Sequence, residues 1–151
     1  MLRRIIVFVF AAALMAALGS FAHTWFIQEA WLEAAAMSGG VAPELSLAER
    51  LSWMLDDVVG LQPLYGTLTT AALLISFLAA GLVSRFTGLR TIVYAVAGGV
   101  AIFVMFTLMK NVLGTVGVFG ARGPMGLGVQ AFAGVLSGLL FAWLTQPRTD
   151  S

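Results

Sequence analysis

No cysteine occurs in the 151 residues, which excludes disulfides, thiol nucleophiles, thiolate metal sites and dithiol redox chemistry. His23 is the one histidine, so a haem held between two histidines within one chain is excluded, and any metal would depend on carboxylates. Charge is scarce at 10% of residues, and a net charge of +1 spread over scattered groups forms no basic footprint for nucleic acid. The glycine-rich stretch GARGPMGLG lacks the lysine followed by serine or threonine that a P-loop requires.

What is present is apolar. Hydrophobic residues make up 60% of the chain and fall in long uncharged runs, the composition of a single-domain (1–151), all-α integral membrane protein. Runs long enough to cross the hydrocarbon core lie at about 4–22, 64–83, 91–109 and 124–146, predicting a four-transmembrane-helix bundle with a structured, partly helical outer segment, about 23–63, between helices 1 and 2. Arg3, Arg4 and the small residues Ser20 and Ala22 also fit a signal peptide cleaved before His23. A retained first helix is the reading adopted.

Pro63 and Pro124 stand where helices are expected to open, since the first turn lacks partners for its amides. The short basic turn Ser84–Arg90 forces spans two and three to run antiparallel. Gly114, Gly117, Gly120 and Gly123 predict a tight loop before span four. In that last span Gly126, Gln130, Gly134 and Gly138 recur at every fourth residue and form a seam on which another backbone can come close. Ala72, Ser76 and Ala80 make a similar stripe in span two, and Gly98 opens the middle of span three. Apart from the two prolines, the halves of the chain do not align as a repeat.

The outer segment holds Glu29, Glu33, Glu44, Glu49, Asp56 and Asp57. Around Trp25–Met37 the first span is expected to continue until Ser38-Gly39-Gly40 breaks it. Ser46 with Glu49 forms a capping box, and Leu47, Leu51, Met54, Leu55 and Val58 then share one face with Asp56 and Asp57 near the other. This helix, about 47–59, is expected to rest its apolar face on the membrane or on the protein's own outer surface. Its acidity disfavours an anionic lipid surface.

Basic residues near span ends stay on the cytoplasmic side. Arg3, Arg4, Arg85, Arg90 and Arg148 against Arg50, Lys110 and Arg122 therefore place both termini in the cytoplasm, in a membrane of the bacterial cytoplasmic (inner) type. Trp25, Phe26, Trp31, Trp53 and Tyr65 would form the outer aromatic belt.

Arg122, beside the start of the fourth helix and among glycines, has two readings: an anion or lipid-headgroup site shared with Lys110, or a clasp onto Asp56, Asp57 or Glu29. The clasp is favoured. Adjacent Asp56 and Asp57 point about 100° apart on a helix and make a poor acid/base pair. Gln130, polar in mid-span, should form an interhelical hydrogen bond, with Thr69, Thr70 or Ser76 or with another chain. No ionisable residue lies deep in a span, which argues against ion-coupled transport.

No cofactor or metal site is expected. The reading favoured is a non-enzymatic accessory or interaction subunit that packs, through its small-residue stripes, against other membrane proteins or itself, in contact with membrane lipids. The alternative is a small transporter, channel or lipid/anion-binding protein with its site at Arg122 and Lys110. A membrane enzyme using His23 with Asp56 or Asp57 comes third.

Overall fold

A computed structural model describes residues 1–39, 44–114, 121 and 123–146. These form five α-helices and no strand among the described residues: α1 (Leu2–Met37), α2 (Leu47–Leu61), α3 (Thr67–Thr87), α4 (Arg90–Leu113) and α5 (Pro124–Leu144). A π-helical turn, Gln62–Gly66, joins α2 to α3 without a break, so these two run as one helical stretch of 41 residues. Four helical stretches are long and apolar enough to cross a membrane.

Pro63 does not open a helix, as the sequence suggests; it sits inside the π-helical turn. Proline has no amide to give to the carbonyl four residues back, and its ring crowds that carbonyl, so the backbone widens for one turn and then resumes. Pro124 does open α5, at its first position. Gly88 (φ +68°) and Gly114 (φ +69°) end α3 and α4 in the left-handed conformation that glycine adopts without strain. As a result α3 continues through the expected basic turn to Thr87, and α4 runs a turn past Lys110.

α5 packs against both α1 and α4, and α3 packs against α4 and, less extensively, against α1, with Phe77 reaching Phe8 and Phe141. The closest approach is α4 on α5. A Cβ added to Gly98 would stand 2.1 Å from the carbonyl oxygen of Gly134, and one added to Gly138 would stand 2.0 Å from that of Tyr94. The backbone that comes close along this seam is α4 of the same chain. Without a hydrophobic driving force between helices in lipid, backbone contact of this kind is what holds neighbours together. Ser76 of the second stripe donates to the carbonyl of Ala97 at 2.7 Å, tying α3 to α4; Ala80 is buried and Ala72 half-buried.

Hydrogen bonds from Arg3 to the carbonyl of Leu144, from Ser137 to that of Ala11 and from Gln130 to that of Gly19 set α1 antiparallel to α5. By that register the start of α5 falls opposite about Trp25, and at 1.5 Å per residue roughly 18 Å of α1 continues beyond it. That extension pairs with α2. One end of the bundle therefore carries the N-terminus, the α3–α4 turn and the end of α5; the other carries the α1–α2 hairpin.

Candidate functional sites at the two ends of the bundle

Gln130 is fully buried and joins three elements. Its Oε1 accepts a 2.6 Å hydrogen bond from the Tyr65 hydroxyl, and its Nε2 donates to the carbonyl oxygen of Gly19 at 2.9 Å. The sequence names this residue as a polar tie, but not these partners. Thr69, an expected partner, donates instead to carbonyls of its own chain segment, Tyr65 and Gly66. Tyr65 reaches Gln130 because the π-helical turn carries it inward, where its ring stacks on Phe106 at 6.2 Å. At 2% exposure it does not belong to an interfacial belt, a correction to the expectation; Trp25, Trp31 and Trp53 do remain exposed.

Toward the hairpin end, polar residues form a stripe along α1. Ser20, Thr24 and Gln28 follow at every fourth residue, and all three are buried, as is His23. Thr24 donates to Asp57 at 2.6 Å, sharing its proton with the carbonyl of Ser20 at 3.0 Å. Gln28 donates to the carbonyl of Arg50 at 3.2 Å. Arg50 in turn pairs with Glu29 at 3.0 Å and lies 5.3 Å from the centre of the Trp25 ring. Trp31 and Trp53 meet edge to face at 6.1 Å. Ser20 Oγ and Gln28 Oε1 are buried without a hydrogen-bond partner among the described residues, so the docking of α2 on α1 rests on the Thr24–Asp57, Gln28–Arg50 and Arg50–Glu29 contacts.

The side of α2 used for this docking is the unexpected part. Arg50, Met54 and Asp57 face α1, whereas Leu47 (76% exposed), Leu51 (50%), Leu55 (60%) and Val59 (75%) stand outward along one flank. Glu49 and Asp56, also exposed, occupy the other flank. The Ser46–Glu49 capping box is present as the sequence predicts. The Ser46 hydroxyl, and secondarily its backbone amide, holds the Glu49 carboxyl below the usual range.

Among the site residues anticipated from sequence, Arg122, with the clasp and the anion site expected of it, lies outside the described residues. The partner seen for Glu29 is Arg50, and that for Asp57 is Thr24. Asp56 and Lys110 are exposed, and Gly126 is buried in α5. No group of three or more histidine, cysteine or acidic residues able to hold a metal ion occurs among the described residues.

The opposite end has a different character. A groove of about 730 Å³ runs between α1 and α3, with Phe77 of α3, Tyr94 of α4 and Phe141 of α5 at its base. The three rings contact one another at 4.9–5.5 Å. Arg4, Arg85 and Arg90 line it. In the sequence these arginines mark only the orientation of the spans, because nothing local shows that residues from α1, α3 and α4 share one cleft. The chain matches no known protein family, curated protein or solved structure.

Proposed function

We propose that this chain is a non-enzymatic membrane interaction protein that docks a partner membrane protein on its α1–α2 hairpin. The observation that carries the reading is the unpartnered apolar stripe Leu47, Leu51, Leu55 and Val59, held outward by a helix whose polar contacts are committed to α1. Hydrophobic groups presented in a row on a rigid element are what a partner helix reads at helical spacing.

Charge narrows the partner. Glu49 and Asp56 on the neighbouring flank of α2, and Glu44 just before it, are exposed carboxylates, and Arg50, the hairpin's described cation, is engaged by Glu29. An apolar helix flanked by lysine or arginine complements this surface. A second copy would bring acid against acid, and an anionic bilayer surface would be repelled for the same reason. The concentration of Arg3, Arg4, Arg85 and Arg90 at the other end supports cytoplasmic termini and an outward hairpin in a cytoplasmic membrane.

A photo-crosslinking residue at Leu51, introduced in the full-length chain in its native membrane, tests this. The expected product is a single different membrane protein, joined at a segment rich in lysine or arginine, and lost when Leu47 and Leu55 are both changed to serine. A crosslinked second copy, or crosslinks to lipid alone, would overturn the proposal.

A further inference from the structure

We infer that the groove between α1 and α3, at the end opposite the hairpin, is a binding site for an anionic phospholipid, with the phosphate held by Arg4, Arg85 and Arg90 and an acyl chain lying along the helices. Four observations converge on it.

The first is charge without a counter-charge. Every described carboxylate of the chain, Glu29, Glu33, Glu44, Glu49, Asp56 and Asp57, belongs to the hairpin end. Three guanidinium groups from three different helices meet around one cleft with no described acid near them. Such a cluster is self-repelling until an anion occupies it, and basic pockets between membrane helices take phosphate headgroups on these grounds.

The second is an unsatisfied donor. Arg90 donates through one terminal nitrogen to the Thr145 hydroxyl and lies 5.0 Å from the centre of the Tyr94 ring, so it is held in place. Its Nε is nevertheless buried with no hydrogen-bond partner. A buried donor on a charged group costs free energy when left unpaired, and a phosphate oxygen is the acceptor that matches guanidinium geometry.

The third is the shape and lining. Below the arginines the walls are Ile5 and Phe8 of α1 and Leu74 and Leu78 of α3, over the aromatic base. Ile5 and Leu78 are 60% and 69% exposed, so the cleft opens sideways, toward the surface that the four apolar helices present to lipid. The fourth is size: about 730 Å³ falls in the range of pockets that enclose small amphiphilic ligands. A free phosphate would leave the apolar part empty, and a neutral lipid would leave the arginines unanswered.

The test uses the full chain in nanodiscs containing equal amounts of phosphatidylglycerol and phosphatidylcholine. Native mass spectrometry after release into mild detergent reads which lipid stays bound. The wild-type chain should retain phosphatidylglycerol preferentially, and R4Q/R85Q should lower that preference about tenfold or more, since each basic group near a membrane surface contributes on the order of 1 kcal/mol. Arg4 and Arg85 are exposed, so the double variant keeps the bundle, checked by an unchanged melting temperature. K110Q, the same kind of change at the other end, should leave retention as in the wild type. Excess inorganic phosphate should fail to displace the lipid. Equal retention of the two lipids by the wild type, full retention by R4Q/R85Q, an equal loss in K110Q, or displacement by phosphate would each overturn the assignment.

Discussion

Gln130 donates to the carbonyl oxygen of Gly19, and the bond exists because Gly19 has no side chain: a Cβ there would lie 1.8 Å from the Tyr65 hydroxyl and 2.7 Å from Gln130 Oε1. Three residues, 46 and 65 positions apart in sequence, therefore form one unit. G19A should destabilise the bundle by about 2 kcal/mol or more, because the atoms it strikes are locked by their own hydrogen bonds. Unfolding in mixed micelles, followed by circular dichroism, measures this. A G19A chain as stable as the wild type would contradict the geometry.

The same unit predicts strong non-additivity. Y65F leaves Gln130 Oε1 without its donor, and Q130L leaves the Tyr65 hydroxyl buried and unpaired, each at a cost of roughly 1–2 kcal/mol. In Y65F/Q130L neither orphan remains, so the double variant should lose clearly less than the sum of the single losses. Strict additivity would mean that the two side chains do not interact.

The glycines divide into two classes that a stability series can separate. At Gly98, Gly134 and Gly138 an added methyl meets backbone at 2.0–2.4 Å, and backbone cannot step aside without parting α4 from α5. G134A and G138A should each cost several kcal/mol, on the order of an overpacked core, and G134L more. At Gly60 and Gly128, both within helices, an added methyl meets nothing within 4 Å. Alanine there should be neutral or stabilise by about 0.5–1 kcal/mol through helix propensity.

Docking of α2 should be separable from the integrity of the bundle. R50A removes the contact to Glu29 and the stacking on Trp25, and D57N weakens the acceptor for Thr24. Because the ion pair is partly exposed, each change should cost no more than about 1 kcal/mol globally. Hydrogen exchange at Leu51–Val59 should nonetheless rise, while exchange across α4 and α5 stays unchanged. Faster exchange in α5 would show that the hairpin is not an independent unit.

Acid should loosen the start of α2 specifically. The Glu49 carboxyl is held below its ordinary value by the Ser46 hydroxyl and amide. A lowered folded-state pKa means that the capping contribution is fully present above the unfolded value of about 4.5 and is lost as pH falls through the folded value. Exchange at Leu47–Arg50 should therefore rise on acidification into that range in the wild type, and S46A should show raised exchange already at pH 7. A wild-type profile flat down to pH 3 would remove the capping box from the account.

Much of the architecture is legible in the residues because its causes are local. Apolar runs of membrane length, the serine and glutamate of the capping box, proline at the start of α5 and glycine at the ends of α3 and α4 each act within a turn or two of chain. The periodicity of Gly126, Gln130, Gly134 and Gly138 likewise announces a close-packed face. Pro63 misleads because the same ring that can open a helix can also widen one, and only the continuity of α2 with α3 decides between them.

Sequence by itself determined a helical chain with four stretches long and apolar enough to cross a membrane, a seam of small residues and carboxylates gathered in the segment after the first apolar run. Tertiary structure decided who meets whom. It gave the seam to α4, turned Tyr65 inward to Gln130, docked α2 by its mixed face so that its leucines stand outward, and drew Arg4, Arg85 and Arg90 around one groove. The physical reason is range. Propensity, capping and hydropathy are properties of neighbouring residues, whereas each of these pairings depends on how separate helices share the space between them.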